Sequence, residues 1–327
     1  MNRLLIYGAT GYTGRMVVAR AKEEGLDVTV AGRDAIRLAA LAHTLEVPSL
    51  VFALDDPGVL NAQLAGFTAV LNCAGPFART AEPLMRACIA TGAHYLDITA
   101  EIKVYQLAEA LSGVALEAGV MLLPGVGWDV VPSDSLAMHL AQRVHNPYSL
   151  RIALQVAGSM SRGSATSAGE IIGVGLLARI DGKLVANDRA QGRGFDFGEG
   201  TVECAPLSFG DLVTAWHSTR IPNIEMYVHI SGPAFPAGDL SDLPEGPTAA
   251  ERDAHRARAV AEVVGADGST ARAMIDTING YSYTPLAASA AARLVLGGHS
   301  KPGFQTPASV FGVGFAESIA DTRIIDL

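Results

Sequence analysis

Gly8, Gly11 and Gly14 recur at three-residue spacing in GATGYTG, directly after the apolar run Leu4–Tyr7 and directly before a helix-like stretch from Arg15 to Glu24. Strand, glycine turn and helix in that order make a phosphate-binding βα unit. The first glycine allows the tight turn, the second lets the backbone approach a pyrophosphate, and the third lets helix and strand pack closely. The helix N-terminus adds unpaired N–H groups and a partial positive charge for the anion. Thr10, Tyr12 and Thr13 stand between the glycines and belong to the same candidate loop. A second compact run, Val28–Ala31, ends in Gly32-Arg33-Asp34. An acid at this point would bind the 2′-hydroxyl of NAD, whereas arginine suits the 2′-phosphate of NADP. Arg33 is placed to stack on adenine and pair with that phosphate, with Arg37 one helical turn on to assist. Asp34 either faces a 2′-hydroxyl or caps the helix Ala35–Thr44, and the cap is the preferred reading. NADP is therefore the expected cofactor, with NAD as the alternative.

Other candidate groups follow later strands. Asn72, Cys73, Ala74, Gly75 and Pro76 lead into Phe77 where a fourth strand would meet the ribose and nicotinamide. Their small size lets the backbone come close, and proline stiffens the turn. Cys73 reads as packing before nucleophile. His94-Tyr95-Leu96-Asp97 and Glu101 form a polar group at the end of the next strand, each with a structural role at least as well supported. In Pro124–Asp134, two glycines and two prolines hold Trp128, Asp129, Ser133 and Asp134 in a rigid turn. Trp128 can wall the nicotinamide, Asp129 can bind the substrate, and Ser133 or Asp134 can cap the following helix, Ser135–Arg143. Arg162, with Ser161 and Ser164, suits a carboxylate or phosphate. His217 beside Trp216 can donate a proton, since imidazole titrates near neutrality.

Elements that would position these residues alternate strand and helix through the first part of the chain. Candidate strands are Ser49–Ala53, Ala69–Cys73, His94–Asp97 and Val120–Leu123, with helices reaching Leu64 and spanning Glu82–Thr91 and Val104–Ala118. The expected fold is α/β, a Rossmann doubly wound parallel sheet, whose ligands sit beyond the carboxyl ends of the strands. That rule makes Gly8–Gly14, Arg33, Cys73–Phe77, Asp97–Glu101 and Pro124–Asp129 neighbours in space. From about Pro132 the pattern changes. Ser149–Ala157 and Glu225–Ser231 read as antiparallel strands, Asp181–Gly200 as turns, and Gly232–Thr248 as a surface loop. Ala249–Gly265 reads as a charged helix and Ala287–Leu296 as an alanine-rich helix that must pack closely. The expected division is a dinucleotide-binding domain over 1–131, a substrate and dimerisation domain with a mixed or antiparallel sheet over 132–301, and a tail over 302–327.

Composition narrows the partners. The 327 residues are 49% hydrophobic and carry a formal charge of −9, with lysine only at positions 22, 103, 183 and 301. That balance argues against nucleic acid or an anionic membrane surface as partner. No stretch approaches the ~18 uninterrupted apolar residues of a membrane span. The chain opens on a strand, so no signal peptide is expected. Cys73, Cys88 and Cys204 are odd in number and lack CxxC spacing, which indicates neither a disulfide framework nor a metal site. A cytoplasmic protein is expected.

The combination of GATGYTG (8–14), AGRD (31–34), NCAGPF (72–77), HYLDITAE (94–101), LPGVGWDVVPSD (123–134), SRGSATS (161–167) and PGFQTPASVFG (302–312) resembles the saccharopine dehydrogenase-like NAD(P)-binding oxidoreductases. The resemblance implies a Rossmann domain followed by a substrate and dimerisation domain, with the tail packing back on the first. It also implies NADP use and a homodimer. Relatives include saccharopine-forming reductases and trans-acting enoyl reductases. Ala100 and Trp128 depart from the glycine and phenylalanine frequent at those places.

These readings converge on an NADP-dependent oxidoreductase moving hydride between nicotinamide C4 and a C=C, C=N or C=O group of a small or carrier-bound substrate. A short-chain dehydrogenase should show Tyr-x-x-x-Lys, and no lysine here has a tyrosine four positions earlier. The alternative from another class is an NADP(H)-binding redox sensor or scaffold without turnover. An opine-type reductase would need a carboxylate clamp, for which Arg162 and Arg79 are the candidates.

Overall fold

The computed structural model describes residues 2–231 and 243–327. The chain divides into two compact units. The first comprises Met1–Thr99, Lys103–Gly127 and Thr284–Gln305; the second comprises Ala100–Ile102, Trp128–Tyr283 and Thr306–Leu327.

The first unit begins as the glycine pattern predicts. β1 (Arg3–Tyr7), α1 (Tyr12–Glu23), β2 (Asp27–Gly32), α2 (Ala35–Leu45), β3 (Ser49–Val51), α3 (Pro57–Leu64), β4 (Ala69–Asn72), α4 (Phe77–Thr91) and β5 (His94–Asp97) alternate. α5 (Ile102–Ala110), α6 (Ser112–Glu117) and β6 (Met121–Leu123) complete the run, so the single helix expected over Val104–Ala118 is two. The strands pair in parallel in the order β6-β5-β4-β1-β2-β3, and a short strand at Gly303–Phe304 adds to β6. This is the doubly wound order, with its reversal between β1 and β4, where the crevice for a nucleotide opens. β1, β4 and β6 are buried almost throughout, the signature of a sheet covered on both faces.

The second unit starts with α7 (Val131–Ala141), β7 (Pro147–Ala157), α8 (Arg162–Ile172), β8 (Leu177–Ile180), β9 (Lys183–Ala186), β10 (Arg193–Asp196) and β11 (Thr201–Pro206). α9 (Asp211–Thr219), β12 (Asn223–Ser231), α10 (Ala249–Asp253), β13 (Ala257–Gly265) and β14 (Thr270–Thr277) follow. α11 (Gly280–Leu296) from Thr284 on and β15 (Gly303–Phe304) belong to the first unit, while α12 (Pro307–Phe311) and β16 (Arg323–Asp326) belong to the second. The nine-stranded sheet runs β10-β11-β12-β7-β13-β14-β16, with the β8–β9 hairpin attached to β12. α7 packs on β13, β14 and α9. On one sheet face Leu150, Ile152 and Leu154 stand opposite Val263, Ala261 and Ala259. The opposite face carries a cluster of Ala153, Phe195, Tyr227, Val260 and Met274.

The mixed sheet expected for this unit is present, but three local readings change. β7 and β12 pair in parallel, not antiparallel. The long excursion between them, through α8, four strands and α9, supplies the crossover a parallel pair requires. The charged helix expected over Ala249–Gly265 is a five-residue helix followed by β13. Alanine and arginine favour helix, but Val260, Val263 and Val264 pack better on a pleated surface, and strand pairing on both sides decides the outcome. α7 starts four residues before the expected Ser135, so Ser133 and Asp134 lie inside its first turn and Val130 is the N-cap. Most of the loop expected over Gly232–Thr248, residues 232–242, lies outside the described residues.

The boundaries also move. Residues 284–305 join the first unit, and β16 pairs with β14 in the second. Within the tail, β15 pairs with β6 of the first sheet. α11 satisfies the close packing its alanines demand: Ala287, Ala288, Ala291 and Ala292 are fully buried, and the Ser289 hydroxyl donates to the Val17 carbonyl of α1 at 3.4 Å.

Candidate functional site

In the first unit the glycine loop is held rigidly. Gly8 adopts φ +78°, and its N–H donates to the Ala31 carbonyl at 2.9 Å. A Cβ at Gly8 would stand 2.6 Å from the Ala74 nitrogen, and one at Gly14 would overlap the Gly8 carbonyl oxygen. Gly8 therefore makes the turn against the β4 loop, and Gly14 brings α1 down onto β1. Gly11 is the N-cap of α1, is exposed and offers no side-chain cap. The opening turn of α1 thus presents backbone N–H groups behind a residue with no side chain in front of them, which fits a diphosphate. Thr10, Tyr12 and Thr13 are half-buried on this loop.

Arg33 lies exposed just past β2, near the Tyr7 hydroxyl, which donates to the Phe52 carbonyl at 3.2 Å. Asp34 is the N-cap of α2, accepting from the Arg37 N–H at 3.0 Å. Its carboxylate is committed to the helix, as the preferred reading holds. The Arg37 guanidinium reaches the Thr10 carbonyl at 3.3 Å, and so does that of Arg15, at 3.0 Å. Arg15 is a residue the sequence reading passed over, although a cation one place beyond the third glycine was its signal.

The β4 loop is shaped from below. Asn72 is fully buried; its side-chain oxygen accepts from the Ala74 N–H at 2.9 Å, and its amide donates to Thr80 and Tyr95 at 2.9 and 3.2 Å. The Tyr95 hydroxyl donates to Asp97 at 2.8 Å, and Asp97 also accepts the N–H groups of Thr99 and Gly125. Asn72 and Asp97 therefore order loops instead of presenting polar groups to solvent. Cys73 and Ala74 are half-buried, Gly75 is exposed, and Pro76 caps α4. Burial and the nearby Asp97 carboxylate push the Cys73 thiol upward, away from nucleophile chemistry. His94 accepts the Met121 N–H at Nδ1, and burial lowers its pKa, so it is a neutral structural imidazole.

In the second unit Trp128 is 4% exposed. Its indole N–H donates to Thr277 at 2.8 Å, and its ring lies against Gly280. This placement makes it a packing residue of that unit. Asp129 is half-buried, and burial raises its carboxyl to about 6. Asp134 is fully buried and likewise raised to about 6; it accepts from Ser218 at 2.5 Å and from the Ala308 N–H at 2.8 Å. The segment thus bears one accessible acid, Asp129, and one structural acid, Asp134.

Arg162 opens α8, its N–H donating to the Glu245 carbonyl at 3.3 Å and its guanidinium lying 3.9 Å from the Glu245 carboxylate. Ser161 caps the helix through the Ser164 N–H, and its own N–H donates to the Tyr281 hydroxyl at 2.8 Å. Tyr281 bonds onward to Ser164 at 2.8 Å, and burial together with Asp129 raises its pKa. Much of the polarity of SRGS is spent within the unit, which weakens the carboxylate-clamp reading. Tyr281 is a second residue the sequence reading missed, because its partner Ser161 lies 120 positions away. His217 is half-buried in the last turn of α9. Among the described residues no group of His, Cys, Asp and Glu is placed to hold a metal ion, and no helix is long and apolar enough to cross a membrane.

Residues 4–123 match the model of the saccharopine dehydrogenase NADP binding domain. Among curated proteins, the human saccharopine dehydrogenase-like oxidoreductase is 29% identical over 151 residues, 40% of this chain and 35% of that protein. The trans-acting enoyl reductase of Mycobacterium leprae (strain TN) is 30% identical over 149 residues, 43% of this chain and 36% of that protein. The matched stretches thus span about a third of the length of these relatives. The apo histidine-tagged saccharopine dehydrogenase (L-Glu forming) from Saccharomyces cerevisiae superposes with a TM-score of 0.67 over 100% of both chains at 13% identity, a likeness of fold. The glycine cradle and the family match coincide on the same residues: positions 4–123 match the saccharopine dehydrogenase NADP binding domain, and the chain resembles the saccharopine dehydrogenase-like oxidoreductases.

Proposed function

We propose that this chain is an NADP-dependent oxidoreductase acting on a C=C, C=N or C=O group of a small or carrier-bound substrate, as a cytoplasmic homodimer. The observation that carries the proposal is the cradle itself, where Gly8 and Gly14 leave no room for a side chain and Gly11 leaves the α1 N-terminus open. When bound there, NADPH supplies the hydride. The protein's part is to hold the diphosphate at α1, to hold the 2′-phosphate with Arg33 and Arg37, and to supply a proton. Asp129 is the candidate for that proton, because a carboxyl near pKa 6 remains partly protonated at neutral pH and yields its proton readily. Trp128 fixes the loop that carries Asp129, and His217 is the second candidate for the proton.

Two measurements test this reading. In fluorescence titrations the wild-type chain binds NADPH, and Arg33→Ala weakens NADPH far more than NADH, by about tenfold or more for the loss of a charge-assisted phosphate contact. Equal weakening of the two nucleotides would show the 2′-phosphate assignment to be mistaken. Against a panel of enones, imines and ketones, Asp129→Asn lowers kcat about 100-fold, the usual contribution of a positioned acid, while the Kd for NADPH stays unchanged. Wild-type binding of NADPH with no oxidation across that panel would favour the sensor reading instead.

A further inference from the structure

The serine-rich start of α8 leaves one hydroxyl hydrogen unspent. In SRGSATS the hydroxyl residues are Ser161, Ser164, Thr166 and Ser167. Thr166 donates to the Arg162 carbonyl at 2.9 Å, Ser167 to the Glu101 carboxylate at 2.7 Å, and Ser161 to Ser164 at 3.1 Å. The Ser164 oxygen accepts a second bond from the Tyr281 hydroxyl at 2.8 Å. Ser161, Ser164 and Tyr281 thus bring three hydroxyl hydrogens to two O···O contacts, and one is left over whichever way the hydroxyls rotate. As the bonds stand it belongs to Ser164, for which no acceptor exists among the described residues. The surroundings hold this group in place. Ser161 is 3% exposed and caps α8 through the Ser164 N–H, while its own N–H donates to the Tyr281 oxygen at 2.8 Å. Ser164 is half-buried in the first turn of the helix. An O–H whose oxygen already accepts two hydrogen bonds is polarised into a stronger donor, and the positive end of a helix favours negative charge in front of it. The Asp129 loop runs alongside. A Cβ on Gly280, just before Tyr281, would stand 3.3 Å from the Trp128 ring, just before Asp129.

We infer that Ser164 is a substrate-binding residue whose hydroxyl donates to the carbonyl oxygen of an uncharged substrate, a ketone, an aldehyde or an enone. The inference rests on the oxidoreductase reading above and narrows its substrate class. One O–H donor suits one oxygen. A carboxylate calls for a paired donor such as a guanidinium, and Arg162 already faces the Glu245 carboxylate at 3.9 Å. As the substrate takes up hydride at carbon, its π electrons move onto oxygen, where the Ser164 bond strengthens with the growing charge. Asp129 then protonates that oxygen and is left as the carboxylate.

The test uses the full chain with NADPH, the ketone and the enone that wild type reduces fastest on the panel above, and the N-methyl-dihydroisoquinolinium ion. The nitrogen of that iminium has no lone pair with which to accept a hydrogen bond. Ser164→Ala lowers kcat/KM for the two carbonyl compounds about 100-fold, the cost of one lost donor to a developing oxyanion, and leaves the iminium within about twofold. Tyr281→Phe removes one polarising bond and lowers the carbonyl rates about fivefold. The Kd for NADPH is unchanged in both. Thermal melts confirm that each variant folds, and Ser164→Cys, a weak donor of similar shape, replaces an alanine variant that does not. Infrared spectra of the ketone bound with NADP+ read the contact without turnover. Wild type moves the carbonyl stretch to lower frequency, and Ser164→Ala returns it towards the free value. Equal loss on all three substrates makes Ser164 a structural residue of α8 and overturns the inference, as do unchanged carbonyl rates or an unshifted stretch in wild type. Turnover of the iminium with no carbonyl compound reduced overturns it too, while leaving the oxidoreductase reading intact. A wild-type chain that oxidises NADPH with none of these compounds removes that reading and the role of Ser164 with it.

Discussion

Replacing Gly14 with alanine is expected to abolish NADPH binding, with a loss of more than about 100-fold in Kd and a fall in stability of about 2–4 kcal/mol. The added Cβ would overlap the Gly8 carbonyl oxygen and stand 3.2 Å from two Ala9 backbone atoms. None of these is a flexible side-chain tip that can swing aside. The Gly8 carbonyl accepts the Gly11 N–H at 3.1 Å, and the Gly8 N–H donates to the Ala31 carbonyl. α1 must therefore lift away from β1, which carries the helix N-terminus off the diphosphate position. Gly25→Ala is the matching control. It forces alanine into a left-handed conformation, at φ +75°, a strain that Gly14→Ala does not impose, but its Cβ meets nothing within 4 Å. It should cost about 1 kcal/mol and leave NADPH affinity unchanged. Urea unfolding and fluorescence titration read the two effects separately. Wild-type affinity in Gly14→Ala would refute the cradle.

The second large effect concerns Asp211, at the start of α9. The residue is 0% exposed, and among the described residues neither carboxylate oxygen receives a hydrogen bond of good geometry. The neighbouring Ser133 hydroxyl is committed to the Val130 carbonyl at 3.1 Å. Burial first, and then the Asp134 and Asp129 carboxylates, raise Asp211 to about 8. At neutral pH the group is a neutral acid that can donate to Ser133, which then passes its own hydrogen to Val130. The sign follows from proton binding. Between its ordinary pKa of 3.8 and its folded value near 8, the folded state holds a proton the unfolded chain has released. Stability from this group is full below pH 4 and drains away as pH rises to 8, by about 3–5 kcal/mol in total. Asp211→Asn removes that slope. The variant should match wild type near pH 4 and exceed it by a few kcal/mol at pH 9. Asp129 and Asp134 still leave a shallower decline between pH 4 and 6 in both proteins. Both tryptophans, Trp128 and Trp216, lie in the second unit, so intrinsic fluorescence in urea at pH 5, 7 and 9 reports on it directly. Parallel pH profiles would show that Asp211 is ionised when folded.

The first sheet was legible because its signals are local. Three glycines at fixed spacing, apolar runs of four or five residues, and Asp34 ahead of a helix each act within one turn of the chain. β13 was not, because ARAVAEVVG holds five helix formers (three alanines, Arg258 and Glu262) against three valines, and pairing with its two flanking strands overrides that local preference. The parallel pairing of β7 with β12 is equally silent in sequence, since it depends on where a long excursion returns. For the site, the residues that touch backbone were readable and those that touch distant side chains were not. Gly8 and Gly14 declare their geometry. Trp128 reads as a cofactor wall until Thr277 and Gly280 are seen to hold it. Asn72 reads as a cofactor ligand until its amide is found orienting Ala74, Thr80 and Tyr95.

The discontinuity of the first unit sets a timetable for synthesis. β1 to β6 emerge from the ribosome early, yet the outer rim of β6 stays bare until Gly303–Phe304 arrives. The flank of α1 that takes up Ser289 waits equally long, as does the amide of Asn2, which donates to the Leu296 carbonyl. A nascent chain must therefore carry an uncovered sheet rim and an unsealed helix flank until residue 304 has been made, and the first unit closes only after residues 128–283 of the second have been synthesised.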